Sequence, residues 1–403
     1  MIKTVKYAYI DEHRQLTQFC GEIAAAPCIA FDTEFVSEDS YRPELCLVQV
    51  AAGENLAVID PLSIRDLRSF WEVLVAPSRQ TIVHAGRHEL CFCLQAVGHR
   101  PGDLFDTQLA AGLIGLEYPA AYATLVTKLL GQTLKKGETR TDWRRRPLSH
   151  RQIEYALQDV MHLEPLRNVL LERLAALNRT AWLTAELDDW QTSVEAAEFD
   201  ERWRRTSGSS NFGPRALAII RELWHWRDAE AQRRNCPARR ILRDDLITEL
   251  AKGATDDMQR IRAIRGLNRR DKERHLPALS AAIRRALDLP EEACPQPLSR
   301  NANRLQFNLL GQFLATALAS VCRAQQVAPS LVGSVEDVRD LIAHHLAGDK
   351  SPAPPPPALA RGWRAEVVGR AIEDLIAGKM AIRVGDPASE QPLILEPRRE
   401  PSP

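Results

Sequence analysis

No stretch of this sequence is long and apolar enough to cross a bilayer. The longest nearly apolar run, Leu309 to Val321, is broken by Gln312 and falls short of the roughly 20 residues a membrane helix needs. The first thirteen residues, MIKTVKYAYIDEH, contain no apolar signal core. Both absences point to a cytoplasmic protein that does not enter membranes. Cysteine is sparse and unpatterned: the eight, at positions 20, 28, 46, 91, 93, 236, 294 and 322, include no Cys-x-x-Cys pair, and several lie in apolar runs. That excludes a disulfide framework and a zinc ribbon, and leaves reduced, mostly buried thiols. His84 and His88 lie beside Glu89 but without His-Glu-x-x-His spacing or a thiolate partner, so a zinc site has no pattern to rest on. Net charge is also missing, with 53 Lys+Arg against 53 Asp+Glu.

The zero total hides a division. Residues 1–213 carry 23 basic against 29 acidic residues, a net −6, whereas residues 214–290 carry 18 against 11, a net +7. An acidic front beside a basic middle suits a polyanion held near a metal centre. With 45% hydrophobic and 26% charged residues, the 403-residue chain is long enough for two or three domains, each with its own core. Apolar runs predict strands at Cys28–Phe35, Leu45–Ala51, Leu56–Ile59 and Thr81–Ala85. Helical periodicity is expected at Ile64–Leu74, Arg87–Ala96, Thr107–Gly115, Thr124–Leu130 and Ser149–Leu174. This order implies an α/β domain with a mixed sheet, followed by helical sequence. A break at Ser207–Pro214 and a Pro-rich stretch at Pro290–Pro297 divide the remainder. The expected organisation is a catalytic domain at 1–176, a helical linker at 177–213, helical units at 214–290 and 300–384, and a flexible tail at 385–403. The proline run from Ser351 to Pro357 reads as an extended loop.

Chemistry enters with two acidic pairs. Asp32 and Glu34 stand two apart at the end of an apolar strand, so their side chains share a face. Tyr155 and Asp159 stand four apart in a predicted helix capped by Ser149, and share a face there. Carboxylates gathered without partners repel one another and resist desolvation, so such a group normally holds a divalent cation. Hard oxygen ligands select Mg²⁺ or Mn²⁺, and two such ions are the usual machinery for phosphodiester hydrolysis. The loop from Lys135 to Arg146 carries six basic residues, of which Lys135, Lys136, Arg144 and Arg145 are candidate phosphate contacts. Trp143 within it is expected to pack beneath the loop. Arg239, Arg240, Arg243, Arg269 and Arg270 form a second basic group.

These residues resemble the DEDD superfamily of 3′–5′ exonucleases in its tyrosine-bearing branch, and within it the ribonuclease D family. The resemblance is carried by Asp32-Thr33-Glu34-Phe35, Tyr41 through Gln49, His84-Ala85-Gly86, Phe105 through Ala111, Thr141 through Ser149, and Tyr155 through Val160. Pro214–Leu289, with Asn235-Cys236-Pro237 at its turn, resembles a helicase-and-RNase-D C-terminal (HRDC) domain. The final unit, with Val327 through Leu331 and Arg361 through Glu366, resembles a second, degenerate one. The resemblance implies an RNase H-like mixed sheet flanked by helices, followed by two all-α HRDC-like domains. It implies a two-metal exoribonuclease that releases nucleoside 5′-monophosphates from RNA, tRNA precursors included. No obligate protein partner is evident in the sequence, and the chain is expected to be a monomer. A DNA 3′–5′ exonuclease and an RNA-binding scaffold with an impaired nuclease site are the competing readings. The implied catalytic residues are Asp32, Glu34, Glu89, Tyr155 and Asp159, the four acids being the metal ligands. Glu89 departs from the family, which has aspartate there; the extra methylene displaces the carboxylate oxygens by about one bond length, and shifts near 1 Å can cost on the order of 10²-fold in rate. Asp106, the nearest other acid, reads as the N-cap of the helix beginning at Thr107.

Overall fold

The computed structural model describes residues 6–77, 79–134, 141–199, 202–208, 212–267, 273–297, 307–347, 356–389 and 391–398. Its N-terminal half is built on a six-stranded mixed sheet. The strands are β1 (Ala8–Ile10), β2 (Cys28–Val36), β3 (Glu44–Ala52), β4 (Asn55–Ile59), β5 (Gln80–Val83) and β6 (Asp103–Asp106). Their order across the sheet is β1-β4-β3-β2-β5-β6. The central meander β2–β3–β4 is antiparallel, while β1, β5 and β6 join in parallel.

Period-two alternation in β2 gives the sheet two apolar faces. Ile29 and Phe31 pack into a core shared with α1 (His13–Ile23), α2 (Arg68–Val75) and α3 (Arg87–Val97). Cys28 and Ala30 face the other way, into a core with α4 (Thr107–Leu113), α5 (Tyr122–Leu130), α7 (Leu163–Ala176) and α8 (Thr180–Phe199). Between α5 and α7 lies α6 (His150–Met161), whose Ala156 and Leu157 pack with Cys46, Leu47 and Val58 of β3 and β4.

Local chemistry fixes the helix ends. The Ser149 hydroxyl accepts from Gln152 N at 3.2 Å while Gln152 Oε1 accepts from Ser149 N at 2.9 Å, a reciprocal capping box that starts α6. The single helix expected over Ser149–Leu174 is instead two, parted at His162 (φ −105°, ψ 0°). Pro165 explains the break: it has no N–H to donate to the Met161 carbonyl, and its ring would crowd that turn. The strand expected to reach Ala85 stops at Val83, because Ala85 is left-handed at φ 54°. The helix expected from Ile64 begins at Arg68.

In the N-terminal half three elements went unanticipated: β1, too short to show a pattern, α1, and β6, whose acidic ends mask its apolar middle.

After α8 the chain forms a helical unit with its own core. It runs from α9 (Pro214–Arg233) through the helices Ala238–Ile241, Asp244–Gly253, Met258–Ala263 and Leu276–Leu287.

The final unit differs from the expectation in two ways. It is not wholly helical, since Met380–Val384 pairs antiparallel with Leu393–Pro397, and the second of these strands lies inside the stretch expected to be a flexible tail. Alternating Ile382, Leu393 and Leu395 are half-buried in that hairpin, which is what the tail reading overlooked. Nor does the unit have a separate core. Leu314, Leu318, Leu331, Trp363 and Val368 belong to the same apolar cluster as Leu109, Leu113, Val160 and Leu166 of the first domain. Polar clasps reinforce the join. The buried Arg179 guanidinium donates to Leu113 O and Gln326 O, both at 2.6 Å, and Glu186 accepts from Trp363 Nε1 at 3.0 Å and Arg364 Nη1 at 2.6 Å. Among the described residues no helix is long and apolar enough to cross a membrane.

Candidate active site

Asp32 and Glu34 leave β2 on the face that Cys28 and Ala30 cover further back, and α6 lies across that end of the sheet. From α6, Asp159 completes a group in which Asp32, Glu34 and Asp159 each offer an oxygen within 4.8 Å of the others. Tyr155, one turn earlier on the same face, lies beside the Asp159 carboxylate, and its ring lies 6.2 Å from that of Trp143. Trp143 is itself buried beneath its loop, as expected.

Electrostatics set these acids apart from ordinary carboxylates. Burial, then the Asp159 charge, pushes Asp32 up to about 7. Burial and the neighbouring Asp32, Asp159 and Glu89 push Glu34 up to about 9. Asp159 rises to about 7 through burial, the Tyr155 hydroxyl partly opposing. Tyr155 is raised by burial and then by Asp159, so its proton stays in place. Among the described residues no Lys or Arg hydrogen-bonds or ion-pairs with any of these acids. An all-oxygen donor set whose charges oppose one another and lack a counter-ion fits a hard divalent cation.

Glu89 lies in the first turn of α3 and is not one of the three converging acids. It is buried, raised to about 8 by burial and then by Asp32, and its Oε1 accepts the Thr33 hydroxyl at 2.5 Å. The turn that launches α3 is held by Asp106. That buried carboxylate accepts from Ala85 N (3.2 Å) and Gly86 N (2.9 Å), and caps α4 through Gln108 N (2.8 Å). Asp106 is thus the N-cap its position suggested. Both ring nitrogens of His84 are occupied, by Thr107 Oγ1 at 2.9 Å and Ala120 O at 3.0 Å, and His88 packs its ring 4.4 Å from Phe35.

Sequence reasoning passed over five residues that support this site. Gln49, opposite Asp32 in the β2–β3 register, donates Nε2 to Asp32 Oδ2 at 2.8 Å. Thr33 holds Glu89. Tyr122 donates to Gln158 O at 3.0 Å, beside Asp159. Asp60 and Arg146 form a paired bridge (2.5 and 2.7 Å) that ties the Trp143 loop to β4. Only Gln49 announced itself, as a polar residue in an apolar strand.

The candidate nucleic-acid contacts are scattered. Lys135, Lys136, Arg269 and Arg270 lie outside the described residues. Arg145 is 85% exposed. Arg144 pairs with Asp142 at 3.0 Å and lies 3.8 Å from Asp39. Arg240 also pairs with Asp39, Arg243 pairs with Asp245 at 2.7 Å, and Arg239 is exposed. The Asp39–Tyr41 loop thereby meets the unit beginning at α9, with Tyr41 Oη donating to Asp228 at 2.8 Å and Tyr41 N to Asn235 Oδ1 at 3.2 Å.

Comparison with known proteins places this geometry. Residues 7–175 match the 3′–5′ exonuclease family model, and residues 216–283 match the HRDC domain. A ribonuclease D from Gluconacetobacter diazotrophicus is 35% identical, over 93% of this chain and 94% of that protein. The Escherichia coli ribonuclease D is 30% identical, over 92% and 99%. The crystal structure of E. coli RNase D, described as an exoribonuclease involved in structured RNA processing, superposes with a TM-score of 0.79 at 29% identity, covering 93% of this chain and 99% of that one.

Proposed function

The chain belongs to the ribonuclease D family and is a 3′–5′ exoribonuclease; from that premise we propose that it trims the 3′ ends of structured RNA precursors, those of tRNA among them, releasing nucleoside 5′-monophosphates. The observation that carries the chemistry is the convergence of Asp32, Glu34 and Asp159 within 4.8 Å, with no basic partner among the described residues. These three carboxylates, with Glu89, would hold two divalent ions, Mg²⁺ or Mn²⁺. Bound there, the ions supply an activated water and offset the charge on the leaving oxygen.

The chain's own groups supply the geometry. Tyr155, kept protonated by burial and the neighbouring Asp159, orients the attacking water through its hydroxyl and does not remove a proton. Gln49 fixes the Asp32 carboxylate, and Tyr122 fixes the α6 backbone at Gln158. The exposed Arg145, with Lys135 and Lys136, contacts the RNA backbone, and Arg144, Arg239, Arg240 and Arg243 extend that basic track on the HRDC side. The eight free thiols suit a reducing cytoplasm.

The test is degradation of 5′-labelled RNA bearing a 3′ overhang, in Mg²⁺ or Mn²⁺, beside a matched DNA strand and the variant Asp32→Ala. We expect stepwise shortening of the RNA by the parent and none by the variant. Full-length RNA persisting under both metals would overturn the proposal, and stronger cleavage of DNA would change its substrate.

A further inference from the structure

Asp39 stands on the loop that leads the chain out of β2, five residues beyond Glu34 and three beyond the strand's end. Its single carboxylate meets guanidinium groups from two domains. Oδ1 pairs with Arg240 Nη2 of the HRDC unit, and Oδ2 lies 3.8 Å from Arg144 Nη1 of the catalytic domain. The loop has other holds on the HRDC unit, since Tyr41 N donates to Asn235 Oδ1 and Tyr41 Oη to Asp228. Arg144 follows the buried Trp143, whose ring lies 6.2 Å from that of Tyr155, so this junction lies close to the acidic centre. The side chains of Arg144, Asp39 and Arg240 are 40%, 51% and 56% exposed. Water reaches all three, and ion pairs of that kind are weak and exchangeable. A carboxylate matches a phosphodiester in charge and in its two free oxygens, and two guanidiniums facing one such group are a phosphate's preferred partners. RNA presents a row of such groups and gains by releasing counter-ions at each contact, an advantage that a lone carboxylate lacks.

We propose that Arg144 and Arg240 form one backbone-phosphate position shared by the two domains, that Asp39 occupies it as an internal counter-ion, and that an incoming RNA strand displaces Asp39. This inference rests on the reading of RNA as the substrate. The carboxylate acts as a threshold: a ligand with one charge gains little by exchanging with it, whereas a strand making several phosphate contacts at once does. Asp142, 3.0 Å from Arg144 Nε, steadies that side chain independently of Asp39. Removing the Asp39 charge should therefore tighten RNA binding, by about three- to tenfold for two exposed pairs.

The experiment is a fluorescence-anisotropy titration of labelled single-stranded RNA with the full-length protein, in EDTA and over a range of salt, with a parallel cleavage assay in Mn²⁺. The proteins are the parent, Asp39→Asn, Asp39→Ser, Glu38→Gln, Arg240→Gln, the double variant Arg144→Gln/Arg240→Gln, and that double variant carrying Asp39→Asn. Glu38 is the exposed neighbour of Asp39, so Glu38→Gln removes the same charge without touching the two pairs. Asp39→Asn and Asp39→Ser should tighten binding by about three- to tenfold at low salt, and Glu38→Gln by less than about twofold. Arg240→Gln should lower the slope of log affinity against log salt by about 0.7, and in the double variant Asp39→Asn should gain nothing. Binding by both Asp39 variants that is unchanged or weaker would overturn the proposal, as would equal tightening by Glu38→Gln, which marks a general charge effect. A gain that survives loss of both arginines would overturn it too. A parent that binds no RNA would sink the RNA reading and this inference together. Binding as expected without cleavage in Mn²⁺ would count against the exonuclease reading alone and support the Asp39 position.

Discussion

Replacing Asp159 by asparagine should make the metal-free protein more stable while removing its activity. In the folded chain Asp159 ionises at about 7, against 3.8 for a free carboxylate, chiefly because burial disfavours the charge. Between those values the folded state keeps a proton that the unfolded state has lost, so stability is full below about 3.8 and falls as pH rises through about 7. At about 1.4 kcal/mol per unit, the roughly three-unit shift sets an upper bound near 4 kcal/mol above neutral pH, shared with the coupled Asp32 and Glu34. An asparagine side chain in its place would carry no charge to desolvate and would keep nearly the same shape. The assay is urea unfolding in EDTA at pH 6 and pH 8.5, repeated with Mn²⁺. We expect Asp159→Asn to exceed the parent by one to a few kcal/mol, about 4 at most, at pH 8.5 in EDTA, with the order reversing in Mn²⁺. RNA cleavage should fall by about 10²-fold or more, since even partners of metal ligands commonly cost 10- to 100-fold. A variant less stable than the parent in EDTA at pH 8.5 would refute the reasoning, because the acids would then be stabilised by something other than a cation.

Three further outcomes follow from named contacts. Tyr155→Phe keeps the ring against Trp143 and removes only the hydroxyl, so cleavage should drop by about 10- to 100-fold with an unchanged thermal midpoint; steady-state rates beside calorimetric unfolding check it. Arg146→Met leaves the buried Asp60 without its paired guanidinium and should cost about 3–5 kcal/mol in urea unfolding, with Asp60→Asn in the same chain recovering part of the loss. Arg145→Ala removes an 85% exposed cation, so it should lower the slope of log affinity against log salt for single-stranded RNA by about 0.7 without altering cleavage at saturating RNA.

Much of the site was legible because its signals are local. Asp32/Glu34 and Tyr155/Asp159 share faces by the two- and four-residue repeats of strand and helix, and no knowledge of the rest of the chain is needed to see that. The capping residues Ser149 and Asp106 were readable for the same reason, since each cap involves residues two or three positions away. What escaped depends on register and on contacts between distant segments. Thr33 and Glu89 meet across 56 positions, Arg146 and Asp60 across 86, and Arg240 reaches back to Asp39 across 201. No periodicity encodes such pairs. The break at His162 was readable in principle, as Pro165 sits in the sequence, but the strong apolar repeat on either side of it hid the interruption. The C-terminal hairpin was hidden differently, by flanking prolines and charges that resemble a loose end.

The apolar cluster that joins Leu113 and Val160 to Leu314 and Trp363 gives the chain an order of completion. Gly112 O accepts from Ala328 N at 2.8 Å, a contact that spans more than half of the sequence, with the whole HRDC unit between its two halves. A chain emerging residue by residue can assemble the sheet of the first six strands early, yet it cannot seal the surface of α4 and α7 until the segment beyond the HRDC unit arrives. The HRDC unit, with a core of its own, behaves like an insertion that can fold independently. Truncation near residue 300 would therefore leave exposed an apolar face that the complete protein buries, and the catalytic domain is finished by the end of the chain farthest from its catalytic strand.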